Sequence, residues 1–335
     1  MKDIKDIPIL QVKNEFYTPS YPWALDLMEQ QNSVFWRFDE TNITSDYNDL
    51  TQELSTQELH GITEVLRLFT QYEIHVGNDY WGDLIKNVFG HPEIKFLATT
   101  NSYYEVVHSM AYNEINKALR LDTEEFYTTY KGIPELNERI QFITSSLNLP
   151  EKYDALDILK AIGTFLFIEG AVLYTGFAFI KHFSSNGKNL LKNINAAIDY
   201  SIRDEGNIHV TSNEHLFKTL LNEAELTQEE QDELQSHLEK IAVKTYEHEQ
   251  VIIDRIFSEG SIRGITPKQM QSFIKLRINE CISLLGYPSV FEYEQYNPIQ
   301  GWFYDNITTL KLNDFFSTQS SQYSRKWDES KFIYN

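Results

Sequence analysis

The sequence predicts an all-α fold, a bundle of long helices, on three observations. Apolar residues recur at three- and four-residue spacing along most of the chain. No run of alternating strand character is bounded by hairpin dipeptides. Capping residues and prolines stand where long helices would begin. The length of 335 residues suits one large domain or two modest ones with a sizeable core.

Taken in order, residues 1–50 form an arm, extended or irregular around Pro8, Pro19 and Pro22, with room for one short helix. The bundle, 51–290, opens at Ser55, where Glu58 three residues on makes a capping-box signature. Ile62, Leu66, Phe69, Val76 and Tyr80 continue that helix as an apolar stripe. Pro92 opens the next helix, through "EVVHSMAYNEINKAL". Further helices are expected over about 134–147, 153–184, 188–221, 227–258 and 267–285. The last segment, 291–335, changes character: "NPIQGWFYDN" is aromatic and turn-like, and the remainder reads as a polar, flexible tail. The sequence contains no internal repeat, phosphate loop or dinucleotide fingerprint.

Composition narrows the partners. A net charge of −20 argues against nucleic acid or an anionic membrane. The single cysteine, Cys281, rules out a disulfide framework or a zinc–thiolate site within one chain. The N-terminus lacks the apolar core of a signal peptide, so a cytoplasmic location is expected, and the "NIT" triplets at Asn42 and Asn306 read as chance matches. The apolar stretch 161–180 has the length of a membrane span. Against a span stand its central Glu169, a charge costing about 2.5–3.5 kcal/mol on insertion scales, and Gly163, Gly170 and Gly176. A helix buried on all sides in a bundle explains the same composition.

Glu169 has company. Glu73 lies on the stripe of Phe69, Val76 and Tyr80, where an edge position is the plain alternative. Glu105, His108 and Tyr112 project from one face, at about 0°, −60° and −20° around the helix. Glu205 and His209, four apart, also share a face, whereas Asp204 points elsewhere. Each pair alone could be an ordinary charged surface. Together they follow the order single, pair, single, pair, the pattern of dimetal carboxylate bundles. Four carboxylates and two imidazoles balance two divalent ions and suit borderline-hard metals. Without metal, four buried carboxylates would repel, and some would protonate. His60, His75, His91, His182, His215, His237 and His248 lack this context and are assigned to surface or supporting positions.

Over roughly residues 30–325 the chain resembles the small, radical-generating beta subunit of class I ribonucleotide reductase. The resemblance rests on "VFWRFDE", "FTQYE", "EVVHSMAY", "FIEGAVLYTGF", "RDEGNIHV" and "DFFSTQSSQY". It implies a ferritin-like bundle. It also implies one metal on Glu73, Glu105 and His108 and another on Glu169, Glu205 and His209, with bridging carboxylates. The pair would be iron first, with di-manganese or mixed manganese–iron as alternatives. Tyr112 would be the radical tyrosine, unless the metals store the oxidising equivalent. Trp36 would be the buried tryptophan of the electron path, and Asp204 its link to a ligand histidine. Tyr323 would be the tail tyrosine that hands the equivalent to a large alpha subunit, bound through the C-terminal peptide. Leu173 and Phe177 would line the radical pocket. A homodimer and a flavoprotein activator are further implied partners. Two departures stand out. Glu73 replaces the more usual Asp, and "EGNIH" has three residues between Glu205 and His209 where the family has two. A one-residue π-bulge would absorb the extra residue, although plain four-residue spacing also keeps both on one face. The rival expectations are a related dimetal oxidase or monooxygenase, a ferritin-like iron store and a metal-free bundle.

Overall fold

The computed structural model describes residues 1–15, 18–185, 188–292 and 297–304. Tyr323 and the rest of 305–335 lie outside them, as do 293–296. In the arm, proline at the first helical position starts α1 (Pro22–Ser33). The arm is fastened to the bundle: the Ser20 and Tyr21 N–H groups donate to Glu93 Oε1 at 2.9 and 3.1 Å. Trp36, just beyond α1, is buried.

The expected capping box at Ser55 forms. Glu58 N–H donates to Ser55 Oγ, and the Glu58 carboxylate accepts from the Ser55 N–H. Such caps are worth about 1 kcal/mol each. The helix they start, α2 (Thr56–Ile74), runs on into a π-helical stretch, His75–Ile85. Then come α3 (Pro92–Ala118), α4 (Pro134–Ser146), α5 (Ala155–Phe167), α6 (Tyr174–Lys181), α7 (Lys192–Asp204), α8 (Val210–Ala224), α9 (Gln228–Ile256), α10 (Pro267–Leu284) and the short α11 (Pro298–Phe303). Boxes at Asp154, Thr227 and Thr266 open α5, α9 and α10. Among the described residues there is no strand.

Two expected helices are each broken in the middle. The 153–184 segment is α5 and α6 joined through the π-helix Ile168–Val172. The 188–221 segment begins later, at Lys192, and is α7 and α8 joined through the π-helix Glu205–His209. The whole 161–180 stretch is buried, so its apolar composition serves the core. No helix among the described residues is long and apolar enough to cross a membrane.

α3 packs against α2 and its π-helical extension, α5 against α8 and α9, and α10 against α9 and the Ile168–Val172 turn. Small residues allow two of these approaches. A Cβ on Gly77 would meet Glu105 Cβ at 2.7 Å, and one on Gly170 would meet Cys281 Sγ at 2.5 Å. The core between the helices is aromatic: Tyr80 stacks on Phe165, with ring centroids 3.8 Å apart, and Phe167, Phe177 and Phe179 are sealed from solvent. Burial of each such side chain contributes about 1.5–3 kcal/mol.

Candidate metal centre

α2 carries Glu73, α3 carries Glu105 and His108, the Ile168–Val172 π-turn carries Glu169, and the Glu205–His209 π-turn carries both of its end residues. All six side chains meet in the middle of the bundle, and none is more than 4% exposed. They form two overlapping sets, Glu73–Glu105–His108–Glu205 and Glu105–Glu169–Glu205–His209. Within each set one ligand atom per residue lies within 4.8 Å of all the others. Glu105 and Glu205 belong to both sets, the arrangement expected of bridging carboxylates.

The extra residue of "EGNIH" is taken up by π-helical winding: the Val210 N–H reaches back five residues to the Glu205 carbonyl. His209 therefore still faces the cluster. Its Nδ1 lies 2.8 Å from Glu105 Oε1, 3.2 Å from Glu205 Oε2 and 3.6 Å from Glu169 Oε2.

Polar satisfaction tests whether metal fits. Glu73 Oε1, Glu105 Oε1, both Glu205 oxygens and both His209 ring nitrogens are buried with no hydrogen-bond partner among the described residues. Leaving so many buried polar atoms unpaired costs about 1–3 kcal/mol each, more when charged. Convergent lone pairs at these spacings, without hydrogen-bond geometry, are what cations between them would satisfy. The donor set fits two divalent ions.

Electrostatics agree. Burial, and then the charges of Glu105 and Glu205, push Glu73 well above the usual carboxylate range. Burial, and then Glu205, push Glu169 up to about 8. Burial opposes charge on His209, but Glu105 and Glu205 outweigh it and hold the imidazole well above its ordinary pKa. Burial likewise opposes charge on His108, outweighed by its hydrogen bonds to Asp204 and Glu105 and by the nearby Glu205 carboxylate. Without cations, the cluster holds protons where cations would sit.

Around these six, Asp204 Oδ2 accepts from Trp36 Nε1 at 2.7 Å and from His108 Nε2 at 3.2 Å. That pairing leaves His108 Nδ1 facing Glu105 and Glu205, at 3.0 and 2.9 Å. Burial would raise the Asp204 pKa, but the Arg203 charge, then His108 and Trp36, hold it below the usual range. Tyr112 is fully buried beside the Phe69 ring, centroids 5.0 Å apart, and Phe177 packs behind Phe69 at 5.4 Å. Its hydroxyl has no hydrogen-bond partner among the described residues; the Ser201 hydroxyl is near enough to favour the phenolate, but without hydrogen-bond geometry. Burial, then Glu73 and Glu205, hold the phenol well above its ordinary pKa.

The sequence reading overlooked Trp81, whose Nε1 donates to Glu169 Oε1 at 2.7 Å. An indole on an apolar stripe reads as core, and only its depth opposite Glu169 reveals the polar task. Two histidines are deeper than expected: His91 and His182 are buried, bonded to the carbonyls of Pro8 and Phe179. His248 is also buried, beside Phe142.

The family model described as "Ribonucleotide reductase, small chain" matches residues 13–298. The chain belongs to that family. It is 26% identical over 332 residues to a "Probable ribonucleoside-diphosphate reductase small subunit 048L" of Invertebrate iridescent virus 3, covering 95% of this chain and 86% of the relative. It is 24% identical over 316 residues to the ribonucleoside-diphosphate reductase subunit beta of Halalkalibacterium halodurans, covering 91% and 87%. Its fold matches that of Streptococcus sanguinis dimanganese(II)-NrdF with a TM-score of 0.74 at 21% identity, over 88% of this chain and 99% of that one. The ferritin-like bundle is thus the fold of class I ribonucleotide reductase small subunits. The protein is a ribonucleotide reductase small subunit, an oxidoreductase component, rather than a dimetal monooxygenase or an iron store. Small subunits of this class bind a dimetal centre, work with a large subunit and are typically homodimers.

Proposed function

We propose that Glu73, Glu105, His108 and Glu205 hold one divalent metal ion and that Glu105, Glu169, Glu205 and His209 hold the other. The observation that carries this is the pair of overlapping four-residue ligand sets, built on two shared carboxylates with buried atoms that have no hydrogen-bond partner among the described residues. Iron is the first choice for the pair, with manganese or a mixed pair as alternatives, because these donors suit all three. The bound pair supplies the oxidising chemistry; the protein supplies ligand geometry and a dry site.

Tyr112 is the proposed radical holder. Its ring is walled by Phe69, and its hydroxyl is buried away from solvent reductants, with the Ser201 hydroxyl near but not in hydrogen-bond geometry. Because the phenol is neutral at rest, oxidation must release the Oη proton. Trp36 and Asp204 form a hydrogen-bonded line to His108, which suits a path for the oxidising equivalent between the surface side and the centre. From Trp36 the equivalent would pass through Tyr323 to a large subunit anchored by the tail "WDESKFIYN". Phe96, Tyr103 and Val106 are exposed along one side of α3, with Phe35 close by, and suit the face of a homodimer. A flavoprotein would serve as activator for a manganese form, and the buried, unpaired Cys281 suits a reducing cytoplasm.

Low-temperature EPR of reconstituted protein tests the radical assignment. A tyrosyl signal present in the parent and lost in Tyr112→Phe supports it; a signal unchanged in Tyr112→Phe assigns the radical elsewhere.

A further inference from the structure

Glu169 sits in a stretch of helix whose backbone cannot bond as an ordinary α-helix does, since winding changes from α to π and back within Phe167–Tyr174. Carbonyls freed at such a change need other donors. The donor at Gly170, the residue after Glu169, is Arg277 of α10. Its Nη2 and Nε both donate to the Gly170 carbonyl, at 2.8 and 3.2 Å. Arg277 is itself fixed on every side. Its guanidinium lies 4.0 Å over the Tyr174 ring, and Nη1 donates to Glu280 Oε2 at 2.6 Å and to the Tyr304 hydroxyl at 2.9 Å. Absence of a side chain on Gly170 lets α10 come this close. On the other flank, Arg139 Nη2 donates to the Val172 carbonyl at 3.2 Å, and Glu249 accepts from the Thr175 N–H at 3.3 Å. A cavity of about 530 Å³ lies against Arg277, Tyr174 and Gly206, so solvent-side disturbance at Arg277 would be felt one residue from Glu169.

We propose that Arg277 is a positioning residue for Glu169. By gripping the Gly170 carbonyl it sets the π-turn that aims the carboxylate, and so controls one of the two metal sites selectively. This rests on the dimetal assignment above. Among the described residues Arg277 bonds to no proposed ligand side chain and reaches Glu169 through the backbone.

The test compares full-length parent, Arg277→Met and Arg277→Lys, each loaded with Mn(II). Metal per chain is measured by equilibrium dialysis, and coupling of the pair by EPR. Circular dichroism and thermal melting monitor the fold. Loss of an outer hydrogen-bonding partner typically weakens metal binding about 10–100-fold. Arg277→Met should therefore bind one ion tightly and the second at least about tenfold more weakly, with the coupled-pair spectrum replaced by that of an isolated ion. Arg277→Lys, keeping the charge and one donor, should partly restore the pair. A folded Arg277→Met with two tight ions and the parent spectrum overturns the proposal. If Arg277→Met does not fold, Arg277→Lys decides alone: an altered pair spectrum supports positioning, and an unaltered one overturns it. A parent that binds no metal pair would instead overturn the dimetal assignment.

Discussion

At the scale of single residues, the centre depends on where protons reside. Asp204 accepts from both Trp36 and His108, which directs the His108 Nδ1 lone pair to the cluster. Both donors use Oδ2, so Asp204→Asn keeps one acceptor for them but loses the negative charge and turns an N–H₂ group on Arg203 Nε, which donates to Asp204 Oδ1 at 3.2 Å. Metal affinity should fall about 10–100-fold, read by competition with a chelator, while helix content stays unchanged. Protons also compete with metal at the ligands themselves. Glu169, pushed up to about 8 by burial and Glu205, is protonated in the metal-free protein at neutral pH and must release that proton to bind. Metal binding should thus tighten as pH rises from 6 toward 8, and calorimetry in buffers of different ionisation enthalpy should detect proton release at pH 7. The sign for stability is opposite. Between the ordinary carboxylate range and about 8, the folded metal-free chain holds a proton on Glu169 that the unfolded chain has lost, so this group makes metal-free stability fall as pH rises. The six proposed ligands were legible in the sequence because a Glu or His inside an apolar run is conspicuous. Trp81, Arg139, Glu249 and Arg277 were not. An indole passes for core, and single charges on long amphipathic helices pass for surface, until folding buries Arg139 and Glu249 against each other at 2.7 Å.

At the scale of elements, helix boundaries followed from capping residues and prolines: the box expected at Ser55 formed, and the structure adds boxes at Asp154, Thr227 and Thr266 that the sequence reading did not single out. The π-helical windings were legible only in part. The surplus residue in "EGNIH" offered the one at Glu205–His209 as one of two ways to keep both residues on one face, but those at His75–Ile85 and Ile168–Val172 carried no such count. Their register depends on partners from other helices, which periodicity does not encode; Gly77 and Gly170, glycines inside helical patterns, were the available hint. The Arg139–Glu249 pair bracing the second of these should be costly to break from one side. Glu249→Leu strands a buried guanidinium and should destabilise the fold by about 3–5 kcal/mol, measured by urea unfolding. Adding Arg139→Met should cost less than the sum of the two single changes, because the stranded charge is gone.

For the whole molecule, a long-helix bundle was foreseeable from periodicity, whereas the proposed dimer face rests on which side chains the fold leaves exposed. Phe96, Tyr103 and Val106 leave a band of exposed apolar side chains on α3, the helix that also carries Glu105 and His108. Val106→Arg should shift the protein from dimer to monomer in sedimentation velocity without unfolding it; a dimer unchanged by Val106→Arg would move the interface to another face. The central claim concerns the interior, that two metal ions share Glu105 and Glu205 there. Metal content per chain, measured by elemental analysis after loading with Fe(II) or Mn(II) and removal of excess, tests it most directly. The expected result is two ions per chain in the parent and loss of both sites in Glu205→Ala, since that carboxylate belongs to each ligand set. A parent that retains no metal pair with either ion, or a Glu205→Ala variant that still holds two ions, would contradict it.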